Sequence, residues 1–285
     1  MNNNLKTVIL LGALSGLLLF IGKSIGGSQG LFIAFLFSLL MNGYAYFFSD
    51  KIVLRMYNAK PLDQQRYAGI YQMVAELCRT MNIPTPKLWI IDNPSANAFA
   101  TGRNPSHASV AFTSSILQLL DERELRGVVA HELSHVKNRD TLISTIAVVI
   151  ATTISYLAQM LQYSAMWQTN SQDGQRRSNP LSLLVLAIIT PFIASLLQLA
   201  ISRSREYMAD ETGAHVCHDP LALASALEKL HTHIAPAGTT TQATTSSLFI
   251  VHPFRTSTIT EWFATHPPLR KRVERLRRMA QNKNI

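Results

Sequence analysis

The chain has 285 residues, 26 of them lysine or arginine against 17 aspartate or glutamate, giving a formal charge of +9 and room for one or two domains. No basic–aromatic module accompanies that charge, which sets nucleic-acid binding aside in favour of membrane topology and anionic lipid. Cys78 and Cys217 are the only cysteines and neither sits in a paired spacing, so a reducing compartment suits the count.

The hydrophobic residues are clustered rather than spread. Thr7–Gly22 is an uncharged run of sixteen residues, and Ser24–Ser49, Thr141–Gln162 and Pro180–Ser202 are three more. A bilayer core about 30 Å thick takes roughly 20 helical residues, so the last three suffice and the first does if its flanking lysines snorkel. Four crossings are expected. No small-x-small cleavage site follows the first run, which therefore reads as half of an anchored hairpin rather than a secretory signal. Eleven lysines and arginines lie in Lys51–Arg139 and eleven in Arg203–Lys283. Four crossings put both segments on one side with the N-terminus, and the positive-inside rule makes that side the cytoplasm.

After the hairpin, apolar residues at helical intervals predict an amphipathic helix over Tyr67–Met81. Short β-type runs follow at Leu88–Ile91 and His107–Thr113, enough for a small sheet beside the helices. Ser114 or Ser115 is placed to cap a helix starting at Ile116, and Asp121 to cap the next, with Glu124 completing a capping box. That next helix has no proline or glycine after Gly127, so it is expected to run straight on into the hydrophobic run at Thr141. The fourth run, with Pro191 as its expected kink, likewise leads into "SRSREYMADETGAH", where Gly213 is the first helix breaker. "APAGTTTQATTSS", Ala235–Ser247, reads as a polar loop or insert, and "THPPLRKRVERLRRMAQ" as a turn followed by a basic helix.

"VVAHELSHVKNRD", Val128–Asp140, carries the chemistry. Residues i and i+4 share a helix face, so His131 and His135 can both aim a ring nitrogen at one metal about 2.0–2.1 Å away. Glu132, one position round, can take a proton from a zinc-activated water and return it to a leaving amine. This H-E-x-x-H pattern of zinc peptidases matches by chance only about 0.009 times in a chain of this composition. The metzincin continuation would need glycine at 138 and histidine at 141, where this chain has Asn138 and Thr141. A third ligand must come from elsewhere, and Glu206 and Asp210, four apart in "SRSREYMAD", are the candidates for ligand and histidine-orienting partner. Spacing alone leaves Glu206 equally open to an ion pair with Arg203 or Arg205. Leaving at Thr141 and returning at Ser202 across two spans favours the metal role.

Taken with "NAFATG" at Asn97–Gly102 and "THPPLRKRVERL" at Thr265–Leu276, these motifs resemble, in order and over nearly the whole chain, the HtpX family of bacterial membrane-bound zinc metalloproteases, related to the CAAX-type prenyl protein endopeptidases. The resemblance implies a mainly α multi-pass membrane protein with a small β-sheet, carrying a zincin-type (gluzincin) metalloprotease domain. A transmembrane hairpin at 1–50 would precede a protease domain at 51–285, itself interrupted by a second hydrophobic hairpin at about 141–202. It implies one Zn2+ per chain held by His131, His135 and Glu206, with Glu132 as general base and no small-molecule cofactor. "NAFATG" resembles an edge strand pairing with the substrate backbone, so Asn97, Ala98 and Phe99 would bind substrate; read alone, Asn97 is equally a turn residue. His266 resembles a family histidine that steadies the oxyanion, where its sequence context alone suggests only a helix entry before Pro267 and Pro268. The implied role is quality control of misfolded or damaged membrane proteins at the inner membrane, with the active site facing the cytoplasm. The longer, Thr-rich stretch before "HPP" departs from the family pattern and bears on substrate preference.

Two other readings fare worse. An intramembrane protease would bury the histidines in an apolar run, yet Asp121–Arg126 precede His131 with five charged residues and Lys137, Arg139 and Asp140 follow His135. A scaffold with structural zinc usually needs four protein ligands, commonly cysteine-rich, and neither cysteine falls beside the motif.

Overall fold

Gly27, at φ 57° and ψ −136°, divides α1 (Asn3–Met56) into two arms, a left-handed backbone that glycine adopts without Cβ strain. The second arm returns along the first: Ser38 Oγ donates to Ser15 Oγ at 2.9 Å and Asn42 Nδ2 donates to the same oxygen at 2.7 Å. The computed structural model describes residues 3–151, 203–233, 250 and 267–282. Among them one helix, Gly26–Met56, is long and apolar enough to cross a membrane, while the apolar helices Thr7–Phe20 and Thr141–Ala151 are shorter. The remainder of the expected third crossing, all of the fourth with Pro191, and the loop at Ala235–Ser247 lie outside the described residues.

Chain reversal after α1 begins a four-stranded mixed sheet: β1 (Lys60–Pro61), β2 (Lys87–Ile91), β3 (Ala98–Gly102) and β4 (Ala108–Thr113) lie in the order β1-β2-β4-β3. β2 and β4 run parallel, and the outer strands antiparallel to them. Side chains alternate between faces along each strand, and here both faces are covered. Leu88, Ala98, Ala100, Val110 and Phe112 join a core with α2 (Ala68–Met81), whose Met73, Val74, Leu77, Cys78 and Met81 form the predicted apolar face. Ile91, Phe99 and Ala111 turn the other way, onto Val53 and Leu54 of α1 and Ile143 and Ile146 of α5 (Thr141–Ala151). The end of the apolar helix is thereby fixed to the back of the sheet.

Helix boundaries differ from the sequence reading at three points. α3 (Ser114–Leu119) is capped by Thr113, whose side chain accepts from Ile116 N–H, rather than by Ser114 or Ser115, because the extended last residue of β4 already has cap geometry. α4 (Glu122–Lys137) has the expected Asp121–Glu124 capping box, but it does not continue into the hydrophobic run. Arg139 takes φ 57°, Asp140 N–H donates to the His135 carbonyl at 2.9 Å, and a new helix starts at Thr141. This is a helix stop made without glycine or proline, paid in backbone strain at Arg139. Gly213, in turn, ends nothing: α6 (Arg203–Cys217) runs through it.

Gly213 is where α6 crosses α4. A Cβ there would lie 3.0 Å from His131 N and 3.3 Å from the Ala130 carbonyl carbon, both backbone atoms that cannot rotate away. Alanine in a helix interior ordinarily gains about 1 kcal/mol over glycine. Here overpacking against backbone, typically about 1–3 kcal/mol, outweighs that gain. Gly213→Ala is therefore expected to lower the thermal midpoint, and an unchanged or raised midpoint in a melt would contradict the close crossing. α7 (Pro220–Thr232), capped by Asp219, and α8 (Leu269–Gln281) complete the described chain.

Candidate metal centre

The capping box starts α4 at Glu122, and regular turns then bring His131 and His135 onto one face, with ring planes 89° apart. Their Nε2 atoms stand 3.3 Å apart. α6, brought close by Gly213, presents Glu206 to both: Oε2 lies 3.8 Å from His131 Nε2 and Oε1 3.5 Å from His135 Nε2. Zinc bonds of about 2.0–2.1 Å at tetrahedral angles set donor atoms about 3.3–3.4 Å apart, so this triangle has the right size for one small cation.

The surroundings point the same way. Asp140 Oδ2 is hydrogen-bonded to His135 Nδ1 at 3.1 Å, and Asp210 Oδ1 lies 3.0 Å from His131 Nδ1, oblique to the ring N–H. Each carboxylate favours a proton on the Nδ1 it faces, leaving both Nε2 lone pairs turned toward the Glu206 carboxylate. Three electron-rich atoms so close repel unless a cation lies among them. Burial favours a neutral His135, but Asp140, Glu206 and Glu132 outweigh it and push its pKa to about 9. A proton on His135 is therefore favoured among these donors, and a cation bound there would displace it.

Glu132 is buried and outside the donor triangle. Burial raises its pKa above the usual carboxylate value, partly offset by the two imidazoles, and Ala100 N–H donates to its Oε2 at 2.9 Å. That bond sets β3 beside the carboxylate. Asn97, Ala98 and Phe99 are all buried. Asn97 precedes β3, with its carbonyl accepting from Thr113 N–H and its Oδ1 accepting from Ile250 N–H at 3.1 Å. His266 lies outside the described residues.

Two residues beside the centre escaped the sequence reading. Asp140 sits in the helix break, five positions after His135, and Arg205 Nη1 approaches it at 3.6 Å. Arg272, on α8, reaches both Asp210 and Glu206. A signal for it existed: it falls four before Leu276 on the apolar side of an otherwise basic helix.

Comparison with known proteins agrees with this arrangement. Residues 64–280 match peptidase family M48. The chain is 46% identical to a protease HtpX homolog of Desulforapulum autotrophicum, over 97% of this chain and 90% of that protein. It is 47% identical to one of Persephonella marina, over 98% of each. In three dimensions it resembles the crystal structure of Ste24p from S. mikatae, with a TM-score of 0.53 at 16% identity; the match covers 95% of this chain and 64% of that one. A metal-sized donor triangle between the H-E-x-x-H helix and α6 and full-length identity of this order lead to one conclusion: the chain belongs to peptidase family M48, among its HtpX-type metalloproteases.

Proposed function

We propose that the protein is a membrane-anchored zinc endopeptidase that cuts misfolded or damaged membrane proteins on the cytoplasmic side of the bacterial inner membrane. The observation that carries the reading is the convergence of His131, His135 and Glu206 around a space of zinc size, with buried Glu132 beside it. In this reading those three residues hold one Zn2+, which when bound supplies Lewis acidity to a peptide carbonyl and to water. Glu132, its basicity raised by burial, takes the proton of the attacking water and delivers it to the leaving amine. Asp210 and Asp140 orient the imidazoles. β3, an edge strand among the described residues, pairs with the substrate backbone, and the Ala100–Glu132 bond keeps that strand next to the base. Asn97, Ala98 and Phe99 form this strand's entry, and His266 follows as the oxyanion partner.

Membrane anchoring is supported by Gly26–Met56, 31 residues of which only 11% of the apolar window is buried. Phe32, Ile33, Phe35, Phe37, Leu39 and Leu40 are exposed along it, a surface that water does not tolerate. The basic segments on either side of the second hydrophobic hairpin support a cytoplasmic site and a multi-pass chain. Purified protein in detergent, loaded with one equivalent of zinc, is expected to cleave an unfolded polypeptide and to stop after chelation. Metal-loaded protein that leaves the polypeptide intact would overturn the reading.

A further inference from the structure

Arg272 is 2% exposed, and a guanidinium so placed is costly unless its donors are answered. They are. Nε and Nη2 form a fork onto Asp210 at 2.8 and 2.7 Å, and Nη1 donates to the Ile250 carbonyl at 2.8 Å while standing 3.6 Å from Glu206 Oε2. The Asp210 oxygen that receives Nη2 is the one 3.0 Å from His131 Nδ1. Ile250, whose carbonyl Arg272 holds, donates its own N–H to Asn97 Oδ1. One side chain on α8 thus touches Asp210 and Glu206 of α6 and, through a single residue, the entry to β3.

We infer that Arg272 is a positioning residue for the metal centre: its fork fixes Asp210 against His131 and steadies Glu206, and its third nitrogen ties that group to the strand beside Glu132. A bidentate fork constrains the plane of a carboxylate, which a lysine point charge does not. The inference rests on the proposed metal site.

Arg272→Lys separates geometry from charge, because it keeps the cation and loses the fork. Were the local field alone at work, Lys would bind metal as the parent does. If the fork positions the ligands, affinity falls by the loss of about 10–100-fold usual for an outer-shell partner. The full-length chain is purified in detergent and its zinc affinity measured by competition with a chelator. Arg275→Ala, which breaks an exposed pair with Glu211 one turn along α8, serves as the control and is expected to match the parent. Arg272→Lys combined with Asp210→Asn is expected to bind within twofold of the weaker single variant, since both cut one relay. Affinity of Arg272→Lys within twofold of the parent overturns the inference, as do losses that multiply in the double variant. Arg272→Gln is read by the same criteria should the lysine variant not fold. A parent that binds no stoichiometric zinc overturns the underlying metal site instead, so the two failures are told apart.

Discussion

Glu132→Gln is expected to lower kcat for an unfolded polypeptide by about 10²–10⁴, the range for loss of a general base, with zinc content unchanged. The second half of that result is the diagnostic one. Glu132 lies outside the donor triangle, and its carboxylate accepts from Ala100 N–H. Glutamine is isosteric, and its amide oxygen can accept the same bond, so β3 keeps its place and KM is expected to move little. What glutamine cannot do is accept a proton from water. The buried, upward-shifted carboxylate gives the parent a base that is stronger than an exposed glutamate and held against the strand proposed to carry substrate. Metal analysis alongside steady-state kinetics checks the prediction. Retained cleavage would remove Glu132 as base, and loss of zinc with cleavage would make it a structural residue of the centre.

What the sequence made legible follows from how local each determinant is. The His131–His135 pair, the Asp121–Glu124 capping box and the apolar face of α2 are set within one or two helical turns, so spacing revealed them. β2 and β4 showed as short β-type runs with their starts shifted by one residue, whereas the two-residue β1 is too short to leave a pattern and β3 was suggested only by the family resemblance. The helix stop at Arg139 was hidden because its left-handed residue is neither glycine nor asparagine, and with it went the reason for Asp140: the break is what turns that carboxylate back onto His135. Gly213 was misread for a related reason. A glycine inside a helical pattern is ambiguous between a stop and a close crossing, and only the position of α4 decides. Arg272 answers to Asp210, 62 residues earlier, and no local pattern encodes such a pairing.

Glu206→Ala is expected to strip the protein of zinc, with affinity falling by more than the roughly 10–100-fold that loss of an outer-shell partner costs. Two imidazoles on one helix leave a tetrahedral ion two positions short, and a catalytic site can leave only one of them to water. In the proposed site Glu206 would also supply negative charge beside Arg272, whose Nη1 stands 3.6 Å from its Oε2, so its removal would leave that guanidinium less well balanced near a bound cation. The conservative series should therefore order itself. Glu206→Asp keeps the charge but retracts the oxygens from a triangle whose longest edges to the imidazoles are 3.5 and 3.8 Å; Glu206→Gln keeps the reach but loses the charge; Glu206→Ala loses both and binds most weakly. Because the close crossing at Gly213 packs α6 on α4 independently of any ligand, the alanine variant is expected to stay folded, so zinc content after dialysis reads ligation and not collapse. An alanine variant that keeps a full equivalent of zinc would show that the helix packing brings Glu206 to the histidines for some purpose other than holding the ion.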